Sequence, residues 1–116
     1  MMEFYEHKPI YLQIADTLCD NVLSGEWVTE DRIPSVRELG VALGVNPNTI
    51  MRTYEHLQSN DVIYNKRGVG YFISPGAKES IIKIQKEQFI KEELPKIMKR
   101  MSLLSIKPSE IFSELK

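Results

Sequence analysis

Two short helical segments, separated by only two residues, constrain this chain more than anything else in its sequence. At Ser35-Val36-Arg37-Glu38 a hydroxyl residue stands three positions before a glutamate, the pairing that caps a helix start reciprocally. Val36, Leu39 and Leu43 follow at helical spacing and are expected to face inward until Gly44 ends the helix. Asn46-Pro47-Asn48-Thr49 then starts a second helix. Asn46 is of a capping type, and Pro47 fits a first turn, where its missing N–H costs nothing. Ile50, Tyr54 and Leu57 supply the inward face of that helix. Two short helices joined through Gly44-Val45 form a helix-turn-helix.

The flanking segments complete a small domain. From Pro9 to Leu23, Ile10, Ile14, Leu18 and Val22 recur every fourth position with Tyr11 and Ala15 alongside, one face of an amphipathic helix that Gly25 closes. The following loop, Glu26 to Pro34, carries Trp27 and Ile33, whose apolar bulk is expected to fold onto the core. Beyond the helix-turn-helix, Val62-Ile63-Tyr64-Asn65 and Tyr71-Phe72-Ile73-Ser74 read as two strands around Lys66-Arg67-Gly68-Val69-Gly70. A hairpin in that place is a wing. Its tip combines Lys66 and Arg67 with Gly68 and Gly70, which let the backbone approach a phosphate or a minor groove closely.

After Pro75-Gly76 the sequence turns helical and lysine-rich, so the expected organisation is α+β: a winged helix-turn-helix over residues 1–76 and a short α-helical tail over 77–116. Ile90, Leu94, Ile97, Met101 and Leu104 alternate spacings of four and three and form one apolar seam. Pro95 interrupts the run and is expected to kink it or restart a helix, and a last short helix is expected from about Ser109. Some forty residues cannot bury such a seam alone. It must pack on the first domain or on a second copy of the chain.

Charge narrows the function further. The chain has a net charge of -1, but residues 1–31 hold seven acids against one base, whereas 32–70 hold five bases against three acids and 71–116 nine against six. The first segment therefore should not face phosphates. His7, Cys19 and His56 show no metal-ligand spacing, no glycine-rich loop opens a helix as in a nucleotide site, and no acid pair marks a cleft, so neither an enzyme nor a cofactor is expected. Cys19 follows Leu18 within the amphipathic run and reads as a small structural residue in a reducing compartment. No apolar run approaches the ~20 residues of a membrane span, and a cytoplasmic location is the default expectation.

These stretches together resemble the DNA-binding domain of the GntR family. The resemblance rests on Pro9-Ile10-Tyr11-Leu12-Gln13-Ile14, Ile33-Pro34-Ser35-Val36-Arg37-Glu38-Leu39, Val45-Asn46-Pro47-Asn48-Thr49-Ile50 with Arg52 and Tyr54, and Arg67-Gly68-Val69-Gly70-Tyr71-Phe72-Ile73. The short tail is similar to that of the YtrA-like subfamily, which implies a brief helical dimerisation segment in place of a large effector domain. Three positions depart from the family habit: Glu30 and Asp61 where glycine is usual, and Gly40 where alanine is common.

The resemblance implies a bacterial transcriptional regulator, in the manner of a repressor, that binds a double-stranded palindromic operator as a homodimer. Arg37 near the start of one helix and Asn48, Thr49 and Arg52 on the next have side chains suited to phosphates or base edges, and Asn46 is counted with them. Ser35 has two roles open to it, capping its helix and presenting that helix start to a phosphate. The seam residues Ile90, Leu94, Ile97, Met101 and Leu104 are assigned to dimerisation. The competing reading is a winged module that binds protein rather than DNA, which the acidic first segment keeps open.

Overall fold

The computed structural model describes residues 8–114. Its elements run α1 (Ile10–Leu23), α2 (Val36–Leu43), α3 (Pro47–Ser59), β1 (Ile63–Lys66), β2 (Gly70–Ile73), α4 (Ala77–Gln88), a π-helical turn (Phe89–Glu93), α5 (Leu94–Leu103) and α6 (Pro108–Glu114). The chain forms two compact units, one through Ile82 and one from Lys83 onward.

In the first unit the expected apolar faces converge on one core. Ile14, Leu18 and Val22 of α1, Leu39 of α2, and Ile50, Tyr54 and Leu57 of α3 are buried together with Ile33, Val62, Ile63 and Ile73. Trp27, Val36 and Leu43 pack against this cluster from its edge. Ala77 and Ile81 of α4 are each only 2% exposed and belong to the same core, so the first turns of α4 are part of the winged unit. Cys19 is buried as well; burial, reinforced by Asp16 and Asp20, pushes its thiol up to about 12, which suits the structural role expected of it.

The helix boundaries follow from local chemistry. The Ser35 hydroxyl accepts from the Glu38 N–H at 3.1 Å while the Glu38 carboxylate accepts from the Ser35 N–H at 3.0 Å, which completes the capping box. Gly44 ends α2 in the left-handed region, at φ 66°, where a Cβ would be costly. The Asn46 side chain accepts from the Asn48 N–H at 2.8 Å, with Pro47 in the first turn of α3. A Cβ on Gly40 would lie 2.9 Å from the Val45 carbonyl oxygen, so the turn between the helices closes directly on this glycine.

β1 and β2 pair antiparallel, with Ile63 opposite Ile73 and Lys66 opposite Gly70. The loop before α2 contributes more than the sequence implied. Asp31 to Ile33 runs along the free side of β2: Ile33 N–H donates to Tyr71 O at 3.0 Å, Ile73 N–H donates to Asp31 O at 2.9 Å, and Arg32 stands opposite Phe72. This pairing joins the segment before the helix-turn-helix to the base of the wing. Glu30 and Asp61, the two residues found where glycine is usual, both have positive φ, 73° and 59°.

In the second unit, the Leu94 N–H bonds back five residues to Phe89 O, which widens the helix just before Pro95. Proline offers no N–H to the carbonyl four residues earlier and its ring crowds that carbonyl, and the π-turn accommodates both effects. Ile90, Ile97 and Leu104 of the expected seam are 53%, 45% and 54% exposed, Leu94 and Met101 are half-buried, and Phe89, Met98 and Leu103 add to the exposed apolar surface.

Candidate nucleic-acid interface

The outer side of α3 is built by elimination. Ile50, Thr53, Tyr54 and Leu57 point into the core, which leaves Asn48, Met51, Arg52 and Glu55 exposed on the opposite side, with Thr49 half-buried at the edge. Core contacts fix how this surface is presented. The Tyr54 hydroxyl donates to Pro34 O at 2.6 Å and its ring meets Tyr71 edge-on at 4.8 Å, tying α3 both to the entry of α2 and to the wing. Burial pushes the Tyr54 hydroxyl well above the usual phenol range, so it stays a donor. Thr53 donates to Tyr11 O at 2.8 Å, which binds α3 to α1.

Arg52 has a defined seat. Its guanidinium lies 4.2 Å from the centroid of the Tyr11 ring, and that ring meets His56 edge-on at 6.2 Å. A cation stacked on an aromatic face loses fewer conformations on binding an anion or a base than one waving in solvent. The sequence marked Arg52 but gave no hint of this platform, because Tyr11 reads simply as part of an amphipathic helix.

Arg37 is exposed in the first turn of α2. At that helix start the Ser35 hydroxyl oxygen is committed to its cap, and the Glu38 carboxyl is held below the usual carboxylate range, chiefly by the backbone and side-chain hydrogen bonds with Ser35 and then by the charge of Arg32. Asn46 likewise uses its side-chain oxygen on its own helix. Both capping residues therefore shape the two helix starts first, the Ser35 side chain being engaged with Glu38 and the Asn46 oxygen with its own helix.

On the wing, Val69 N–H donates to Lys66 O at 2.8 Å, closing a tip in which Arg67 and Gly68 are exposed and Gly68 takes φ 77°. Lys66 reaches back along the hairpin, its ammonium 5.0 Å from the Phe72 ring centroid, and Phe72 stacks with Tyr64 at 5.8 Å. Of the expected contact residues, Ser35, Arg37, Asn46, Asn48, Thr49, Arg52, Lys66, Arg67, Gly68 and Gly70 all lie in the first compact unit. Ile90, Leu94, Ile97, Met101 and Leu104 all lie in the second. Among the described residues no group of three or more His, Cys, Asp and Glu side chains is placed to hold a metal ion, and no helix is long and apolar enough to cross a membrane.

A capped helix-turn-helix followed by a two-stranded wing defines a winged-helix domain of the kind that presents one helix outward. Residues 10–73 match the model of the bacterial regulatory proteins of the gntR family, and the chain belongs to that family. It is 37% identical over 90 residues to the HTH-type transcriptional repressor YtrA of Bacillus subtilis, covering 78% of this chain and 68% of that one, and it fits the YtrA-like branch. A GntR-family transcriptional regulator from Bacteroides thetaiotaomicron has the same fold at a TM-score of 0.77 with 51% identity, covering 90% and 91% of the two chains. The DNA-binding domain of AraR, in complex with its operator ORR3, aligns at a TM-score of 0.57 with 27% identity over 64% of this chain and 87% of that one. The protein is a transcriptional regulator of the GntR family, and its relatives are regulators rather than enzymes.

Proposed function

We propose that the protein is a cytoplasmic repressor that binds a palindromic operator as a homodimer, with α3 in the major groove and the wing at the neighbouring phosphates or minor groove. The observation that carries this reading is the outward row of α3, where Asn48 and Thr49 stand beside an Arg52 already held over Tyr11. Arginine and asparagine side chains pair with guanine and adenine edges in the major groove, and a stacked guanidinium is preorganised for that task. The likeness to a named repressor and to a domain seen with operator DNA supports the same reading.

Dimerisation through the tail follows from its surface. A helical unit that leaves Phe89, Ile90, Ile97, Met98, Leu103 and Leu104 exposed has little of its own to bury them against, and a second copy supplies a matching face. Two winged units related by a two-fold axis read half-sites about 10 base pairs apart, or a multiple of that, and add their binding energies.

Selection of bound fragments from a random DNA pool by the intact protein tests the proposal. The expected outcome is an enriched motif made of two inverted half-sites. Salt-sensitive binding with no enriched motif would reduce the activity to nonspecific electrostatics, and no DNA binding would favour a protein-interaction module.

A further inference from the structure

The outward face of the wing sheet contains a residue that neither the motifs nor the family resemblance singled out. In antiparallel pairing, residues directly opposite one another point to the same side of the sheet, as do residues two apart on one strand. Arg32 is opposite Phe72, Phe72 is opposite Tyr64, and Gly70, two residues before Phe72, is opposite Lys66. Arg32 and Lys66 therefore stand on one face, on either side of the strand that carries Gly70.

The empty side of Gly70 gives Arg32 its place. A Cβ on Gly70 would lie 2.9 Å from the Arg32 Nε, 3.5 Å from Nη2 and 3.6 Å from Cζ, so the guanidinium lies against bare backbone where any other residue would place a side chain. The backbone of Arg32 is fixed too, since the residues on either side of it are hydrogen-bonded to β2. Its side chain is exposed. Among the described residues the one ion pair within 4 Å is Lys8 with Asp16, which leaves Arg32 without a carboxylate partner at that range. Arg32 stands opposite Phe72 of the wing sheet and three residues before Ser35, the cap of α2, which locates its backbone between the wing and the start of the helix-turn-helix.

A cation whose backbone is anchored to a sheet, left without a carboxylate partner within 4 Å and on the same face as a second cation, has the properties of a phosphate contact. We propose that Arg32, with Lys66 across Gly70, seats one DNA backbone phosphate at the base of the wing and thereby sets the wing's register relative to α2 and α3. The proposal rests on the DNA-binding reading above. It assigns Gly70 a concrete duty, keeping a side chain out of the guanidinium's seat, in place of close backbone approach to the nucleic acid.

The test is the slope of log affinity against log salt for wild type, Arg32→Ala and Arg32→Lys, on a selected operator and on scrambled DNA, with thermal melting of each protein as the folding control. Each lost phosphate contact removes about 0.9 from the slope per subunit. Arg32→Ala should flatten the slope by about that amount and weaken both DNAs by a similar factor, about fivefold per subunit at moderate salt, because a phosphate contact carries no sequence information. Arg32→Lys should keep the slope and recover part of the affinity. If wild type shows no salt-dependent DNA binding, the DNA-binding reading itself fails. If wild type binds and Arg32→Ala, folded by its melt, matches it in slope and affinity, Arg32 lies outside the interface. Weakening confined to the operator overturns the phosphate assignment in favour of base reading.

Discussion

Ser35 and Glu38 exchange two hydrogen bonds at an exposed helix start, so the stability they contribute is open to measurement without disturbing the core. Ser35→Ala should cost about 1 kcal/mol in denaturant unfolding. Glu38 adds a pH dependence. Its carboxyl is held below its ordinary value in the folded chain, so its contribution is fully present above the unfolded value, about 4.3, and is lost as pH falls through the lower folded value. The gap between melts of wild type and Glu38→Ala should therefore narrow in acid; a constant gap down to the lowest pH would separate the Glu38 carboxylate from the cap. Asp61 presents the opposite case, a non-glycine residue at φ 59°. Asp61→Gly should raise stability by about 0.5 to 1 kcal/mol, the left-handed strain outweighing the entropy of the added glycine. A lower melting midpoint would show that the aspartate earns its place some other way. Arg52→Ala should weaken operator binding by about 1 to 3 kcal/mol and scrambled DNA by less. Equal affinity of mutant and wild type for the operator would remove Arg52 from the reading surface.

At the scale of elements, the wing and the helix-turn-helix make separable contributions. Arg67→Ala at the wing tip should flatten the salt dependence by about 0.9 per subunit while leaving the preferred sequence intact, and an unchanged slope would place the tip away from DNA. The elements themselves were largely legible. The capping box, Gly44 and the Asn46-Pro47 pair marked α2 and α3 because caps are local chemistry written in a few adjacent residues. Glycines around a single residue marked the hairpin for the same reason. Contacts made by residues distant in sequence were not legible. The strand-like run of Asp31 to Ile33 along β2 carries no alternating pattern, and the seat of Arg52 on Tyr11 joins residues far apart in the chain. The π-turn before Pro95 was half legible: proline announced a break, but whether a helix kinks, stops or widens there depends on hydrogen bonding that sequence spacing does not encode.

For the whole molecule, the proposed reading of a palindrome requires two copies. One small winged unit offers limited contact area, and the tail's exposed apolar residues give a second copy a face to bury. Because Ala77 and Ile81 lie in the core of the winged unit, a fair truncation ends after Ile82; a cut after Gly76 would unstitch the domain and report instability instead of assembly. The decisive measurement is sedimentation of the intact chain, of residues 1–82 and of Leu94→Asp, each alone and with a palindromic operator. The expected result is a dimeric intact protein that binds the palindrome as one dimer, and two folded, monomeric variants that bind it far more weakly. Variants that remain dimeric and bind as tightly as the intact chain would contradict it, and so would an intact protein that binds the palindrome as a monomer.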